Sequence, residues 1–364
     1  MLRLREQADL AGYTTLRLGG PAARLIEADT AADLVAVVRD TDLAEEPLLV
    51  LGGGSNLVIA DVGFGGTVVR VATAGVAVDQ ADEQVRVTVA AGENWDLLVE
   101  WAVGEKLAGI ECLAGIPGLA GSTPIQNVGA YGQEVAATIS AVRAFDRARS
   151  SVVTLDPPGY EFGYRTSIFK TRRYGSGESG LTGRFVVLDV TFTLARDPMS
   201  VPIKYPELAA KLGVEVGEQA PLTDVREAVL ALRRGKGMVL DPADPDTVSV
   251  GSFFINPVLD RAQLAGLERR ACLRSPGIEV PTFPADDGRV KVSAAWLIEQ
   301  AGFGKGYQGP GGARISTKHT LALTNYDGAT TADLIGLARQ VVVGVRDAFG
   351  VELTNESVLV GVQL

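Results

Sequence analysis

Val85, Val87 and Val89 alternate with Arg86 and Thr88, the period-two pattern of a strand with one buried face. Apolar runs predict further strands at 47–51, 57–60, 67–71, 139–146, 152–155 and 184–194, the last reading RFVVLDVTFTL. Between them the period lengthens to that of a helix. Trp95, Leu98, Val99 and Ala102 fall on one side of a helix over 94–103. Thr30 is placed to cap a helix from Ala31 to about Arg39, with Asp33 in the first turn where the helix dipole favours an acid. Thr223 and Ser293 predict caps for helices running to about Arg234 and over 294–301. A last helix, from about Thr331 to Phe349, stops at Gly350 as a C′ glycine should. The pattern predicts an α+β protein with borders near 72 and 222, hence segments 1–72, 73–222 and 223–364.

Composition narrows the functions open to such a chain. Its 364 residues suffice for two or three domains with real cores. A net charge of −10 argues against a nucleic-acid partner, which needs a basic face. Two cysteines, Cys112 and Cys272, suit a reducing compartment rather than a disulfide scaffold. The first residues lack the apolar core of a signal peptide, and no apolar run reaches membrane-spanning length, so a soluble cytoplasmic protein is expected. A single histidine, His319, leaves no multi-histidine metal site, so no metal is expected. The chemistry falls to Ser, Arg, Lys, Glu, Tyr and a cofactor.

Two glycine-rich stretches suggest which cofactor class. LGGGSNL ends the apolar run at 47–51, and AGIPGLAGSTPIQNVGAYGQE spans 114–134. Glycines let backbone N–H groups approach a ligand closely, and bare N–H groups suit a pyrophosphate, while Pro117 and Pro124 stiffen the second loop. Two G-x-G-x-x-G runs, at Gly304 and at Gly175, lack the strand–turn–helix context of a dinucleotide fold. The stretch 174–183 between YEFGYRTSIFK and the next strand reads as a surface excursion. From residues alone, Arg165 in that cluster reads either as a stacked structural arginine or as a bidentate donor to a carboxylate. Arg233, Arg234 and Lys236 form a basic cluster in an acidic chain, read either as helix-end charge complementarity or as counter-charge for a diphosphate.

Both glycine loops resemble the flavin-binding signature of the UDP-N-acetylenolpyruvoylglucosamine reductase family, and the likeness covers nearly the whole chain. It implies a two-lobed FAD-binding domain of the vanillyl-alcohol-oxidase type plus a C-terminal α/β substrate-binding domain whose last strand can return to the FAD lobes. Flavin-binding positions would be Gly52, Gly53, Gly54, Ser55, Asn56 and Leu57, then Gly115, Ile116, Pro117, Gly118, Gly121, Ser122, Gln126, Asn127, Gly129 and Ala130. The FAD would be held non-covalently. YRTSIFK matches the family's tyrosine-arginine-x-serine-x-phenylalanine-lysine pattern, GSFFINP its glycine-serine-phenylalanine-phenylalanine-x-asparagine-proline, and Glu356 its terminal glutamate. The resemblance thereby implies Arg165, Ser252 and Glu356 as catalytic residues. Tyr164, Tyr205, Lys236, Asn256 and Gln308 match positions that handle the UDP substrate. The implied reaction is NADPH-dependent reduction of the enolpyruvyl ether of UDP-N-acetylglucosamine in cell-wall synthesis. Another FAD oxidoreductase on the same scaffold, or a nucleotide-sugar binding protein without activity, remain the alternatives.

Overall fold

The computed structural model describes residues 2–81, 84–175, 181–285 and 288–364. It divides into two units. The first comprises the chain up to Asp9, Pro21–Gly54 and Phe64–Val239; the second comprises Leu10–Gly20, Ser55–Gly63 and Leu240–Leu364.

The first unit holds two large sheets. Strands Arg3–Asp9, Pro21–Ala28, Phe64–Val71 and Leu48–Leu51 lie in that order, with the first pair antiparallel and the rest parallel. Helix Ala31–Leu43 serves this sheet, and Thr30 accepts the Asp33 N–H at 3.0 Å as its cap. The second sheet is antiparallel, in the order Ser151–Leu155, Ile139–Asp146, Phe185–Arg196, Gln84–Ala90 and Val76–Ala81. The alternation at 85–89 is resolved as expected: Val85, Val87 and Val89 are fully buried and Arg86 is exposed. They join a core with Trp95, Leu98 and Phe192 from the helix Trp95–Gly104 and the central strand.

Two expectations need correction in this unit. Helix Leu222–Gly235 starts one residue before Thr223, with Pro221 at its N-cap, so Thr223 caps nothing and instead bonds Asp224. Nor does that helix open a further domain. Val225, Ala228, Val229 and Leu230 are buried in the same core as Trp95, and the unit runs on to Val239. Of the segment expected to loop out at 174–183, residues 176–180 lie outside the described residues, and the described residues on either side of them are anchored. Thr182 is buried, accepts the Val50 N–H and donates to the Leu48 carbonyl, while Arg147 donates to the Thr182 carbonyl and covers the Tyr174 ring. Gly177 and Gly180 of the run beginning at Gly175 lie outside the described residues.

The second unit packs helices Arg261–Arg274, Ala294–Gln300 and Thr331–Phe349 around a core that includes Phe253, Phe254, Leu297, Val341 and Phe349. Thr330 and Ser293 cap the last two, and Gly350 closes the long helix in the left-handed conformation at φ +71°. Strand Ser249–Ser252 pairs with Ala322–Asn325, which pairs with Ala313–Ile315. The final strand, Val358–Val360, runs parallel to Leu57–Ile59, so the chain's end returns to the stretch that follows the first glycine loop.

Candidate active site

The first glycine loop opens where strand Leu48–Leu51 ends, and the second begins after the short 3-10 turn Glu111–Leu113. They meet backbone to backbone. A Cβ added at Gly53 would stand 2.8 Å from Gly118 Cα, and one at Gly52 would stand 2.9 Å from Ser122 Oγ. Gly121 fits flush against Ala91, where a Cβ would lie 2.4 Å from the alanine Cβ. Backbone bonds hold the second loop in place: Trp95 N–H to the Gly118 carbonyl, Ala120 N–H to Glu93, and Gly121 N–H to Ala91, at 2.8–3.1 Å. Gly115 adds a bond from its N–H to Asp96 at 2.6 Å. The result is a rigid, side-chain-free cradle in which Gly53 is exposed and Gly52 and Gly118 are half-buried. Such a surface suits the pyrophosphate of a dinucleotide, and FAD fits the residues present. The partition of the chain passes between Gly54 and Ser55, so Ser55, Asn56 and Leu57 count with the second unit. There the Asn56 carbonyl accepts the Val358 N–H.

Downstream, the same loop positions Arg165. Gly163 and Thr166 exchange backbone bonds of 3.1 and 3.3 Å, closing a tight turn over Tyr164 and Arg165. Arg165 occupies the left-handed region at φ +54°, a place that normally calls for glycine or asparagine. Its Nη2 donates to the Gly129 carbonyl at 2.9 Å, and Tyr164 stands beside the guanidinium at 5.8 Å. Asn127 ties loop and turn together. Its amide donates to Gly163 O and to Glu134 Oε2, and its Oδ1 accepts the Ala136 N–H. Gly129 and Ala130 then enter a hairpin whose turn, Tyr131-Gly132, has both residues at positive φ, as a type I′ turn requires.

That hairpin delivers a residue absent from the expected site. The Tyr131 ring meets Tyr205 edge-on at 5.4 Å and lies 5.7 Å from the Lys236 ammonium. Tyr205 and Lys236, expected to handle the same substrate, are therefore brought together within one unit. Burial raises the Tyr131 phenol pKa, against the opposing pull of the Lys236 and Arg233 charges. Arg233 lies beneath the glycine loop, its Nε 3.3 Å from where a Gly115 Cβ would be, and that Nε has no partner among the described residues. Burial lowers its pKa, with Tyr131 and Asp96 partly offsetting. The signal for Tyr131 was present in the sequence, as an aromatic next to a glycine in AYG.

In the second unit, a β-bulge at Gly251, at φ +74°, breaks the register between Ser249 and Ser252. Bulges re-aim the following side chain. Ser252 is half-buried, and its hydroxyl makes no hydrogen bond among the described residues. Phe253 and Phe254 then anchor the segment in the core. Opposite them runs the tail of the chain. Glu356 N–H donates to the Phe253 carbonyl at 2.8 Å, Ile255 N–H to Thr354, and Phe254 bridges Asn355. Ser252 and Glu356 thus sit on neighbouring antiparallel segments. Asn256 has a structural task, its Oδ1 accepting the N–H of Ala294 at the start of helix Ala294–Gln300. Gln308 is exposed and bridges Arg314. Among the described residues no group of three metal-binding side chains exists.

Residues 242–360 match the family described as the C-terminal domain of UDP-N-acetylenolpyruvoylglucosamine reductase, and residues 22–156 match the FAD-binding domain. The reductase of Thermobifida fusca is 55% identical over 98% of this chain and 97% of its own, and that of Streptomyces avermitilis 56% over 99% and 95%. The crystal structure of the enzyme from Thermus caldophilus superposes with a TM-score of 0.63 at 25% identity, covering 99% of both chains. The α+β architecture is thus a flavin-binding domain with a C-terminal domain, and an oxidoreductase. Matched end to end at more than half identity, the chain belongs to the UDP-N-acetylenolpyruvoylglucosamine reductase family.

Proposed function

We propose that the chain reduces the enolpyruvyl group of UDP-N-acetylglucosamine enolpyruvate with electrons from NADPH, forming UDP-N-acetylmuramate for peptidoglycan. The single observation that carries the site assignment is the bond from Glu356 N–H to the Phe253 carbonyl, which sets a carboxylate-bearing segment beside Ser252.

Gly52, Gly53, Gly54, Gly115, Gly118 and Gly121 would hold the FAD pyrophosphate against bare backbone, with Ser55 to Leu57 and Gln126 to Ala130 flanking it. Bound there, FAD supplies the hydride. Its attachment is read as non-covalent: the Cys112 thiol is buried and burial pushes its pKa far up, so it stays a neutral, poor nucleophile. An enol ether accepts hydride at its methylene carbon only when the adjoining carboxylate takes up charge. Arg165, held by a strained turn, suits a bidentate grip on that carboxylate, and Glu356 takes the role of the acid that polarises it. The pair of electrons freed at the α-carbon then takes a proton from the Ser252 hydroxyl. Tyr164, Tyr205, Lys236, Asn256 and Gln308 bind the nucleotide sugar, with Lys236 countering the diphosphate. Two thiols without a disulfide fit a reducing, cytoplasmic setting.

Turnover of NADPH with the enolpyruvyl substrate tests the reading. Ser252→Ala sharpens it, since a proton donor to the substrate has no part in taking electrons from NADPH. The variant should be reduced by NADPH at near the wild-type rate and reoxidised by substrate at least ~10²-fold more slowly. Equal loss of both half-reactions would make Ser252 structural.

A further inference from the structure

Lys236 stands one residue past helix Leu222–Gly235, and its ammonium donates to Glu207 Oε2 at 2.6 Å. Glu207 belongs to the first turn of helix Pro206–Leu212, immediately after Tyr205 at the N-cap. One short helix therefore carries both a phenol of the expected substrate site and the carboxylate that neutralises its cation. Among the described residues no other carboxylate lies within ion-pair reach of Lys236. Arg233 does not share the load: its Nη2 donates to the Met238 carbonyl.

The pair is open to solvent, with side-chain exposures of 33% for Lys236 and 42% for Glu207. Ion pairs this accessible are weak and easily exchanged. A diphosphate arriving at Lys236 meets Glu207 already there, and two anions on one ammonium repel each other. Burial draws the ammonium pKa down, but the Glu207 hydrogen bond and the nearby Tyr131 and Tyr205 oxygens outweigh it, so Lys236 remains a cation.

We propose that Glu207 is a built-in competitor for Lys236, holding the ammonium when no nucleotide is bound and yielding it to the diphosphate of the nucleotide sugar. The inference rests on the reading of Lys236 as a diphosphate contact. Substrate and product of the reaction carry the same nucleotide diphosphate, so a site tuned only for tight binding would be slow to clear. A carboxylate that retakes the lysine speeds departure and keeps the cation oriented in between.

Calorimetric titration of UDP into the FAD-loaded protein tests this, using wild type, Glu207→Gln, Lys236→Met and the double variant. Glu207→Gln should bind UDP about 3–5-fold more tightly, the worth of an exposed ion pair, and Lys236→Met at least ~5-fold more weakly. In the Lys236→Met background the second change should have no effect, because the partner it competes for is gone. If Glu207→Gln leaves affinity unchanged or lowers it while Lys236→Met weakens binding, the competitor role falls and the lysine's role stands. An unchanged affinity in Lys236→Met removes both. Equal tightening with and without Lys236 would show a general charge effect and overturn the proposal.

Discussion

Asn127 offers the sharpest test of how the glycine loop supports Arg165. Its side chain is buried and makes three hydrogen bonds: to Gly163 O at 3.3 Å, to Glu134 Oε2 at 2.8 Å and from Ala136 N–H at 3.1 Å. Asn127→Ala removes the side-chain acceptor of the Ala136 N–H and one of two donors to the Gly163 carbonyl, which keeps the Thr166 N–H, about 1 kcal/mol each. Glu134 is exposed and regains water, so its share is small. The backbone adds a second term. Asn127 sits at φ +46°, where asparagine is tolerated and alanine costs about 1 kcal/mol more. The total is about 3 kcal/mol in Asn127→Ala and about 1 kcal/mol less in Asn127→Gly, which loses the bonds but not the backbone freedom. Urea unfolding of both variants beside wild type measures this. Equal losses in the two would refute the backbone term, and losses below about 0.5 kcal/mol in both would refute the whole account. Because the Gly163 carbonyl opens the Arg165 turn, kcat per bound flavin should fall in Asn127→Gly.

Gly53→Ala should lower FAD retention after dialysis, measured by released flavin fluorescence, because its Cβ would press on the backbone of Gly118 at 2.8 Å. Gly65→Ala, where a Cβ meets nothing within 4 Å, should retain wild-type flavin, and equal loss in both would sink the cradle argument. Asp146 is buried and paired in a fork with Arg184 at 2.7 Å for each oxygen, and this hydrogen bonding, against burial, lowers its pKa. Its folded pKa thus lies below the unfolded value of about 3.9, so its stabilisation is present above that pH and lost as pH falls through the folded pKa. Asp146→Asn should be less stable at pH 7 and show a flatter stability profile below about pH 4; an unchanged acid slope would contradict the assignment.

Much of the fold was legible because local chemistry and tertiary packing agree. Thr30 and Ser293 cap real helices, and the alternating valines at 85–89 bury the face they predicted. The failures share a cause. Helix Leu222–Gly235 looked like the opening of a new domain because its basic end marks a composition change, yet its apolar face completes the core begun by Trp95. Strand Arg3–Asp9, exposed along nearly its whole length, has no alternation to read, and register against Pro21–Ala28 alone makes it a strand. The charged helix Arg261–Arg274 has only Leu267 and Ala271 buried, so its periodicity was faint. At the site, glycine spacing announced the cradle, but nothing in the order of residues says that Tyr131 would reach Lys236. That pairing depends on a hairpin and a helix end meeting in space.

The Arg165 turn shows why the glycine loop and the arginine have to be understood as one device. A non-glycine residue in the left-handed region costs about 1–3 kcal/mol and persists only where its surroundings over-determine it. Here the surroundings are explicit. The guanidinium is held by the Gly129 carbonyl, the Arg165 carbonyl accepts Lys170 Nζ at 3.2 Å, and Gly163 is fixed by Asn127. Ser167, one residue past the turn, donates to Ile125 O at 2.7 Å and caps the helical turn Ile168–Thr171. Three of these anchors, Ile125, Asn127 and Gly129, come from the tail of the second glycine loop. A glycine at 165 would relax the strain and lose the charge. Keeping an arginine there, on a scaffold shared with the glycine loop, makes sense if the guanidinium must be aimed before the substrate arrives. Pre-paid orientation of this kind is where a carboxylate clamp gains its catalytic effect.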